Sequence, residues 1–419
     1  MYGLVGKKLK HSFSKEIHNY LGNPEYQLYE TNSIEHFLKT NDFDGINITI
    51  PFKTDIIPYL DELDQVAQET YSVNTVVKRN GKLIGYNTDY MGLESAFRYF
   101  NVDVANKSVL ILGNGSVSKT VSKLLSDLHA RSIIRLCRSV KSNIDHVFED
   151  YTRYLNYDII INTTPVGMYP DNDAELLIDL SVFTKLEVVI DLVYNPLRTK
   201  LLIEAKNRGI RIVDGLYMLI MQAIKAHELF FDKIIPQNIA NKIYTKTYRK
   251  HLNVVFVGLP LSGKSKYTRL LSESIHKKGL DIDQIIEKEA KMTIPEIFES
   301  KGEKYFRDFE SKIVQDLYKL NGLIISTGGG LVENQANIDL LKQNGVIIFL
   351  NKDPEIISQK TIYGRPLLKQ GKDILELAKR RVPMYLKNSD IVIDINKDTD
   401  THLKEIKEKI DEYISGQRT

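Results

Sequence analysis

The sequence predicts an α/β protein of more than one domain, built on parallel sheets. Three observations predict it. Short apolar runs alternate with amphipathic stretches along most of the chain, the pattern of strands joined by covering helices. Two of those runs, 109–112 and 254–257, lead straight into glycine-rich turns, Gly113-Asn114-Gly115-Ser116 and Gly258-Leu259-Pro260-Leu261-Ser262-Gly263-Lys264-Ser265. The length, 419 residues, exceeds what one hydrophobic core usually serves and suggests two to three domains.

Taken in order, 3–6, 27–30 and 45–50 read as strands, and 14–21 and 33–39 as the helices between them. The runs 73–78 and 82–86 flank Asn80-Gly81, a hairpin signal because both residues tolerate positive φ. A second alternation begins at Val109 and continues through 133–136, 158–161, 188–192 and 210–213, with helical segments expected between. Its phosphate turn follows its first strand, as in a dinucleotide-binding unit. Helices are predicted at 216–231 and 237–248. The charged stretch Tyr248-Arg249-Lys250-His251 then meets a strand at Asn253 with no glycine-, serine- or proline-rich linker, which places the domain boundary near residue 250. Residues 400–414 read as a closing, solvated helix.

Composition narrows the function classes. A net charge of +3 gives no support for a nucleic-acid surface. Hydrophobic residues at 42% and charged residues at 26% describe a soluble globular chain. The single cysteine, Cys137, excludes an intrachain disulfide and a cysteine-based zinc site, and suits a reducing cytoplasm. The N-terminus turns polar at Lys7 and Lys8, unlike a signal peptide. No apolar run is long enough to span a membrane.

A strand that delivers a glycine turn to a helix N-terminus makes a phosphate cradle, with backbone N–H groups and the helix dipole facing the anion. Gly258-x-x-x-x-Gly263-Lys264-Ser265 fits the nucleoside-triphosphate loop throughout: Lys264 reaches the β- and γ-phosphates of ATP or GTP and the Ser265 hydroxyl binds Mg²⁺. Asp281 and Asp283 follow the next helix. In a strand-end setting one holds magnesium-bound water and the other accepts a proton from an attacking hydroxyl. Gly113-Asn114-Gly115-Ser116-Val117-Ser118 is a looser, dinucleotide-type turn. Where an acid would meet a free ribose 2′-hydroxyl, the chain instead reads Arg138-Ser139-Val140-Lys141, a basic segment suited to the 2′-phosphate of NADP. Upstream, Lys53 lies just past a strand end and Asp89 at the next strand-to-helix turn. Such a pair shuttles a hydroxyl proton while hydride moves to nicotinamide. Taken alone, Asp89 reads as a helix N-cap.

Further motifs carry two resemblances. Gly302-Glu303-Lys304-Tyr305-Phe306-Arg307-Asp308-Phe309-Glu310, Ser326-Thr327-Gly328-Gly329-Gly330, Arg365-Pro366-Leu367-Leu368 and Arg381-Val382-Pro383 stand in the order that resembles shikimate kinase, over about 251–415. That resemblance implies a P-loop domain of the nucleoside-monophosphate-kinase-like group with a parallel sheet. In it Asp283 orients or deprotonates the acceptor hydroxyl and Asp281 acts on Mg²⁺ through water. Arg307 and Arg381 clamp the substrate carboxylate, Gly328, Gly329 and Gly330 admit the ring, and Arg365 comes from a lid to stabilise phosphoryl charge.

Residues 1–249 resemble shikimate dehydrogenase, on His11-Ser12-Phe13-Ser14, Ile17-His18-Asn19, Asn162-Thr163-Thr164-Pro165-Val166-Gly167-Met168 and Asp191-Leu192-Val193-Tyr194-Asn195-Pro196. The resemblance implies two lobes in 1–250: a substrate lobe of about 1–100 plus 220–250, and a Rossmann-like NADP lobe of about 101–219. Ser12, Ser14 and Tyr194 would bind the substrate carboxylate. Thr49, Asn74 and Gln222 would bind ring hydroxyls beside Lys53 and Asp89. Gly215 and Met218 would flank the nicotinamide. Residues 251–419 form the kinase-like domain. In the dehydrogenase half Lys15 stands for proline, Cys137 stands for asparagine, and the 113–118 turn has fewer glycines than usual; in the kinase half Leu261 stands for glycine or another small residue. Together the resemblances imply reduction of 3-dehydroshikimate with NADPH, then phosphorylation of shikimate by ATP-Mg²⁺. Two alternatives stand beside this: a quinate-type dehydrogenase joined to the kinase, or one half serving only as a ligand-binding module. No oligomeric state follows from the sequence.

Overall fold

The structure, a computed structural model, describes residues 1–359, 371–396 and 399–416. The chain divides into two compact units, Met1–Thr247 and the residues from Tyr248 on. Among the described residues the first unit holds two sheets and the second holds one.

The first sheet comprises β1 (Tyr2–Gly6), β2 (Gln27–Glu30), β3 (Gly45–Ile48), β4 (Glu62–Leu63), β5 (Thr75–Arg79) and β6 (Lys82–Tyr86), in the order β2-β1-β3-β5-β6-β4. It is mixed: β1 pairs in parallel with β2 and β3, whereas β5 is antiparallel to both β3 and β6. Asn80 and Gly81 both take positive φ, +52° and +82°, which closes the β5–β6 hairpin with a two-residue turn. Val5, Ile46, Ile48, Val73 and Val76 form the centre of its core.

The second sheet comprises β7 (Ser108–Leu112), β8 (Ser132–Cys137), β9 (Asp145–Val147), β10 (Ile159–Asn162), β11 (Val188–Asp191) and β12 (Arg211–Val213), in the order β12-β11-β10-β7-β8-β9. All its pairs are parallel. β7, β10 and β11 are buried along their whole length, as expected for Val, Ile and Leu runs covered on both faces. The strand order reverses between β7 and β10, which opens a crevice at their carboxyl ends.

Helices were expected in every interval of this sheet, and two intervals correct that reading. Ser116–Asp127 and Lys200–Asn207 are α-helices, but between β8 and β10 the chain makes only β9 and a 3₁₀ helix, Phe148–Tyr154. Between β10 and β11 a single short 3₁₀ turn, Leu180–Val182, forms. The physical reason lies in tertiary contacts. Asp145 forms a buried ion pair with Arg135 of β8, which ties 145–147 to the sheet edge, while Phe148, Tyr151 and Tyr154 each pack against the core.

In the second unit β13 (Asn253–Val257), β14 (Lys278–Asp281), β15 (Leu323–Ser326), β16 (Gly345–Asn351) and β17 (Ile391–Asp394) pair in parallel, in the order β14-β15-β13-β16-β17. The phosphate turn follows the central strand β13, and the glycine triplet follows its neighbour β15. Edge strand β17 alternates buried and exposed residues, whereas β13 and β15 are buried throughout. No helix among the described residues is long and apolar enough to cross a membrane.

Candidate active sites

In the first unit the loop after β3 and the helix Thr88–Tyr99 after β6 bring Lys53 and Asp89 together. Lys53 Nζ lies 2.5 Å from Asp89 Oδ2, and both side chains are buried. Asn74 Nδ2 donates to the other oxygen, Asp89 Oδ1, at 2.9 Å, and lies 3.3 Å from Gln222 Oε1. The orientation of the Asn74 amide is set from behind, because its Oδ1 accepts from the Thr88 backbone N–H at 2.7 Å. Thr88, the residue beside Asp89, thus joins this site through Asn74, a role the sequence motif did not reveal. The N-cap expected of Asp89 belongs to Asn87, whose side chain accepts from Tyr90 N, so Asp89 stands inside the first helical turn with its carboxylate committed to Lys53.

Ser12 and Ser14 form a second cluster. Ser12 Oγ donates to Ser14 Oγ at 3.1 Å and accepts from the Ser14 backbone N–H at 3.2 Å. Tyr194 hydrogen-bonds Ser12, and burial raises its phenol above the usual tyrosine range. Its ring packs on Phe13, 5.2 Å between centroids. Thr49 follows β3 directly and its carbonyl accepts from Phe52 N, which starts the turn leading to Lys53. His18, a tempting acid–base residue, is instead fully buried and stacked on Tyr26, and burial lowers it to about 3.

The crevice of the second sheet carries the dinucleotide-type turn. Gly113 has φ +106°, and a Cβ there would meet Thr163 Oγ1 at 2.8 Å, so the turn needs glycine to pass the segment after β10. A Cβ on Gly115 would meet nothing within 4 Å, leaving the backbone before the helix Ser116–Asp127 open to an anion. Arg138, Ser139 and Lys141 are exposed beyond the end of β8, and Asn114 Nδ2 donates to the Ser139 carbonyl at 2.7 Å. Cys137 is turned inward: its thiol donates to Ser139 O at 3.3 Å and burial raises its pKa. Gly215 abuts the Leu192 backbone, and Met218 is buried one helical turn before Gln222.

Beside this crevice Asp191 is wholly buried at the end of β11. Burial drives its carboxyl up to about 7, against hydrogen bonds from Thr199, Val193 N and Asn162. A folded-state pKa above the unfolded value, ~3.9, means that the folded state holds the proton more tightly. The stabilising contribution is therefore fully present below the unfolded value and is lost as pH rises through 7. Buried Asp214, raised to about 6, acts in the same direction. Asp191→Asn keeps the neutral shape and is expected to raise the unfolding temperature of this unit more at pH 8 than at pH 5.5. Calorimetry showing an equal change at both values would contradict this.

In the second unit the loop after β13 takes φ +152° at Gly258 and +89° at Gly263. Leu261 has φ +64°, a conformation that costs a non-glycine residue, so the leucine departs from the expected glycine at a place where glycine would be unstrained. Lys264 is buried, and its Nζ donates to the Gly258 and Leu259 carbonyls at 2.9 Å each. Ser265 Oγ donates to Asp281 Oδ2 at 2.6 Å, while Asp281 Oδ1 caps the next helix through Asp283 N. Asp283 sits against the Gly328 backbone, opposite Glu310.

Arg307 and Arg381, expected as a carboxylate clamp, already hold internal carboxylates. Arg307 pairs with Glu310 at 2.8 Å and Arg381 with Glu333 at 2.9 Å, and Arg380 shares Glu333 at 2.7 Å. Burial raises Glu310 above the usual carboxylate range, although both arginines pull it down. Gly330 is where Arg307 crosses the backbone: an added Cβ would collide with its guanidinium. Gly329 contacts the Pro260 ring, joining the triplet to the phosphate loop. The sequence assigns no role to Glu310, which ends the motif that begins at Gly302, or to Glu333, though Glu310 falls at the i,i+3 spacing from Arg307 that pairs helical side chains. Arg365 lies outside the described residues.

Comparison with known proteins gives these geometries a family. A shikimate dehydrogenase (NADP(+)) of Clostridium perfringens is 35% identical over 267 residues, 58% of this chain and 98% of its own length. The chain belongs to the shikimate dehydrogenase family. The model of the shikimate dehydrogenase substrate binding domain matches residues 4–76, and that of shikimate kinase matches 260–412. A Methanococcus maripaludis shikimate dehydrogenase is 36% identical, covering 56% of this chain and 92% of its own. Among solved structures, a chorismate mutase/shikimate 5-dehydrogenase fusion protein from Clostridium acetobutylicum has a TM-score of 0.56 at 31% identity, over 59% of this chain and 97% of that one. A shikimate dehydrogenase solved in complex with NADP⁺ has a TM-score of 0.51 at 33% identity, over 58% and 94%. The dehydrogenase relatives thus account for the first unit, and the shikimate kinase family for the second. One chain joins the two as a bifunctional enzyme of the shikimate pathway.

Proposed function

We propose that the first unit reduces 3-dehydroshikimate to shikimate with NADPH and that the second phosphorylates shikimate at its 3-hydroxyl with ATP. The observation that carries this reading is the buried Lys53–Asp89 pair, 2.5 Å apart, in the same chain as a complete triphosphate loop with Ser265 and Asp281 joined at 2.6 Å.

In the first unit NADPH supplies the hydride. Lys53 holds and delivers the proton to the carbonyl oxygen, while Asp89 holds the lysine in place. Asn74 and Gln222 orient ring hydroxyls, with Thr49 beside them, and Ser12, Ser14 and Tyr194 hold the carboxylate. Arg138, Ser139 and Lys141 receive the 2′-phosphate, and Gly113 to Ser116 the pyrophosphate. Gly215 and Met218 border the nicotinamide.

In the second unit Lys264 leaves its carbonyl partners to meet the β- and γ-phosphates, within the loop framed by Gly258 and Gly263. Ser265 and Asp281 offer hard oxygen donors of the kind Mg²⁺ accepts alongside phosphate and water. The ion would offset phosphate charge there. Asp283 takes the proton of the attacking hydroxyl. Arg307 and Arg381 bind the substrate carboxylate through guanidinium nitrogens not used by Glu310 and Glu333, with Gly328, Gly329 and Gly330 lining the ring; the charge of Arg365 is assigned to the phosphoryl group from the sequence resemblance. The test is product identification by phosphorus and proton NMR. Shikimate is expected from 3-dehydroshikimate with NADPH, and the 3-phosphate ester from shikimate with ATP. A phosphate on another hydroxyl would overturn the assignment of Asp283.

A further inference from the structure

Between β8 and β10, where the covering helix is missing, a buried polar knot lies under the basic segment. Asp145 is 4% exposed and both carboxylate oxygens are hydrogen-bonded. Its Oδ1 accepts from Arg135 Nε at 2.6 Å, and its Oδ2 accepts from the Lys141 backbone N–H at 2.9 Å and from Asn114 Nδ2 at 3.2 Å. Arg135 is itself buried and donates from its second nitrogen to Ser142 Oγ at 2.8 Å. Asn114 also donates to Ser139 O. One carboxylate therefore joins three segments: β8, the glycine turn and the loop 138–141.

This is an acid close to where an adenosine ribose would lie, yet it is not available to ribose hydroxyls. Its charge is balanced by Arg135 from beneath. The exposed side chains of Arg138 and Lys141 keep their charges for a ligand. We propose that Asp145 is a positioning residue for cofactor choice: it clamps the pyrophosphate turn to the 2′-phosphate loop, and so sets the preference for the 2′-phosphorylated dinucleotide. The inference rests on the reading of Arg138, Ser139 and Lys141 as the 2′-phosphate site.

Asp145→Asn tests it with little change in volume. An amide cannot accept on both sides, so it faces either Arg135 or the Lys141 and Asn114 donors with a donor of its own. The full chain is assayed for KM of NADPH, of NADH and of 3-dehydroshikimate, beside Arg138→Ala. The expected result is an NADPH KM raised about tenfold, the scale of one charge-assisted hydrogen bond, with the NADH KM changed less than twofold and the 3-dehydroshikimate KM unmoved. Arg138→Ala should show the same selective loss. A loss in Arg138→Ala alone would overturn the clamp and leave the 2′-phosphate site standing. No loss in either variant would overturn that site and the clamp with it. An equal rise for NADPH and NADH, or a rise for NADH alone, would also overturn the proposal, the second because it would mean that Asp145 touches ribose. Should Asp145→Asn fail to fold, Ser142→Ala, which removes only the outer anchor of Arg135, decides the matter by a smaller shift in the same ratio or none.

Discussion

Replacing Lys53 by alanine is expected to lower kcat for 3-dehydroshikimate reduction by about 10²–10⁴-fold, the range for losing a positioned proton donor, while phosphorylation of shikimate stays within twofold. The lysine is buried, and Asp89 receives its other hydrogen bond from Asn74, so among the described residues Lys53 is the one cation paired with this carboxylate. The substitution also strands a buried carboxylate, a change that commonly costs about 3–5 kcal/mol. Stability and chemistry are separated by adding Asp89→Asn. The double variant should recover much of the lost thermal stability and none of the rate. Recovery of reduction along with stability would mean that the pair serves the fold alone.

Lys264→Met is the counterpart in the second unit. It preserves the aliphatic stem and removes the charge, so phosphorylation is expected to fall by about 10²–10³-fold, the scale for losing one preorganised electrostatic contact to developing charge. Reduction of 3-dehydroshikimate should stay within twofold. Lys264 holds two loop carbonyls, so some of the loss will appear in the KM for ATP as the loop relaxes. A fall confined to that KM, with kcat intact, would show that the lysine shapes the loop without touching the transferred phosphoryl group.

Both phosphate turns can be read from sequence because each is local: an apolar strand, glycines at fixed offsets, and a helix. The Asn80-Gly81 hairpin is readable for the same reason, since two adjacent residues carry the whole signal. Lys53 and Asp89, 36 residues apart, are paired in the sequence only through their expected places at neighbouring strand ends, and the pairing of β3, β5 and β6 sets the 2.5 Å between them. What escapes is the non-local detail around such pairs. The Asn74 amide is oriented by Thr88, a hydrogen bond that no spacing rule announces. The missing helix after β8 escaped because Asp145 looks like an ordinary loop acid until Arg135, ten residues away, is seen beneath it. Glu333 escaped most completely, being 48 residues from the Arg381 it neutralises.

If Arg307 and Arg381 bind the substrate carboxylate as proposed, their internal pairing bears on that binding. Both guanidinium groups are held in place before any substrate arrives, so less side-chain entropy remains to be lost on binding. The same carboxylates also prevent a buried, unbalanced positive pair, which would otherwise be costly. On that assignment Glu310 and Glu333 set how the arginines face the ring, and the absence of a Cβ at Gly330 leaves room for the Arg307 guanidinium.

The most direct single measurement is a coupled reaction on the full chain with limiting 3-dehydroshikimate, NADPH, ATP and Mg²⁺, following NADPH oxidation and ADP release together. The expected result is one NADPH oxidised and one ADP released per molecule of 3-dehydroshikimate, with ADP lagging NADPH oxidation and absent when NADPH is withheld. ADP release at the full rate without NADPH, or NADPH oxidation to completion with no ADP formed, would contradict two consecutive reactions on one acid.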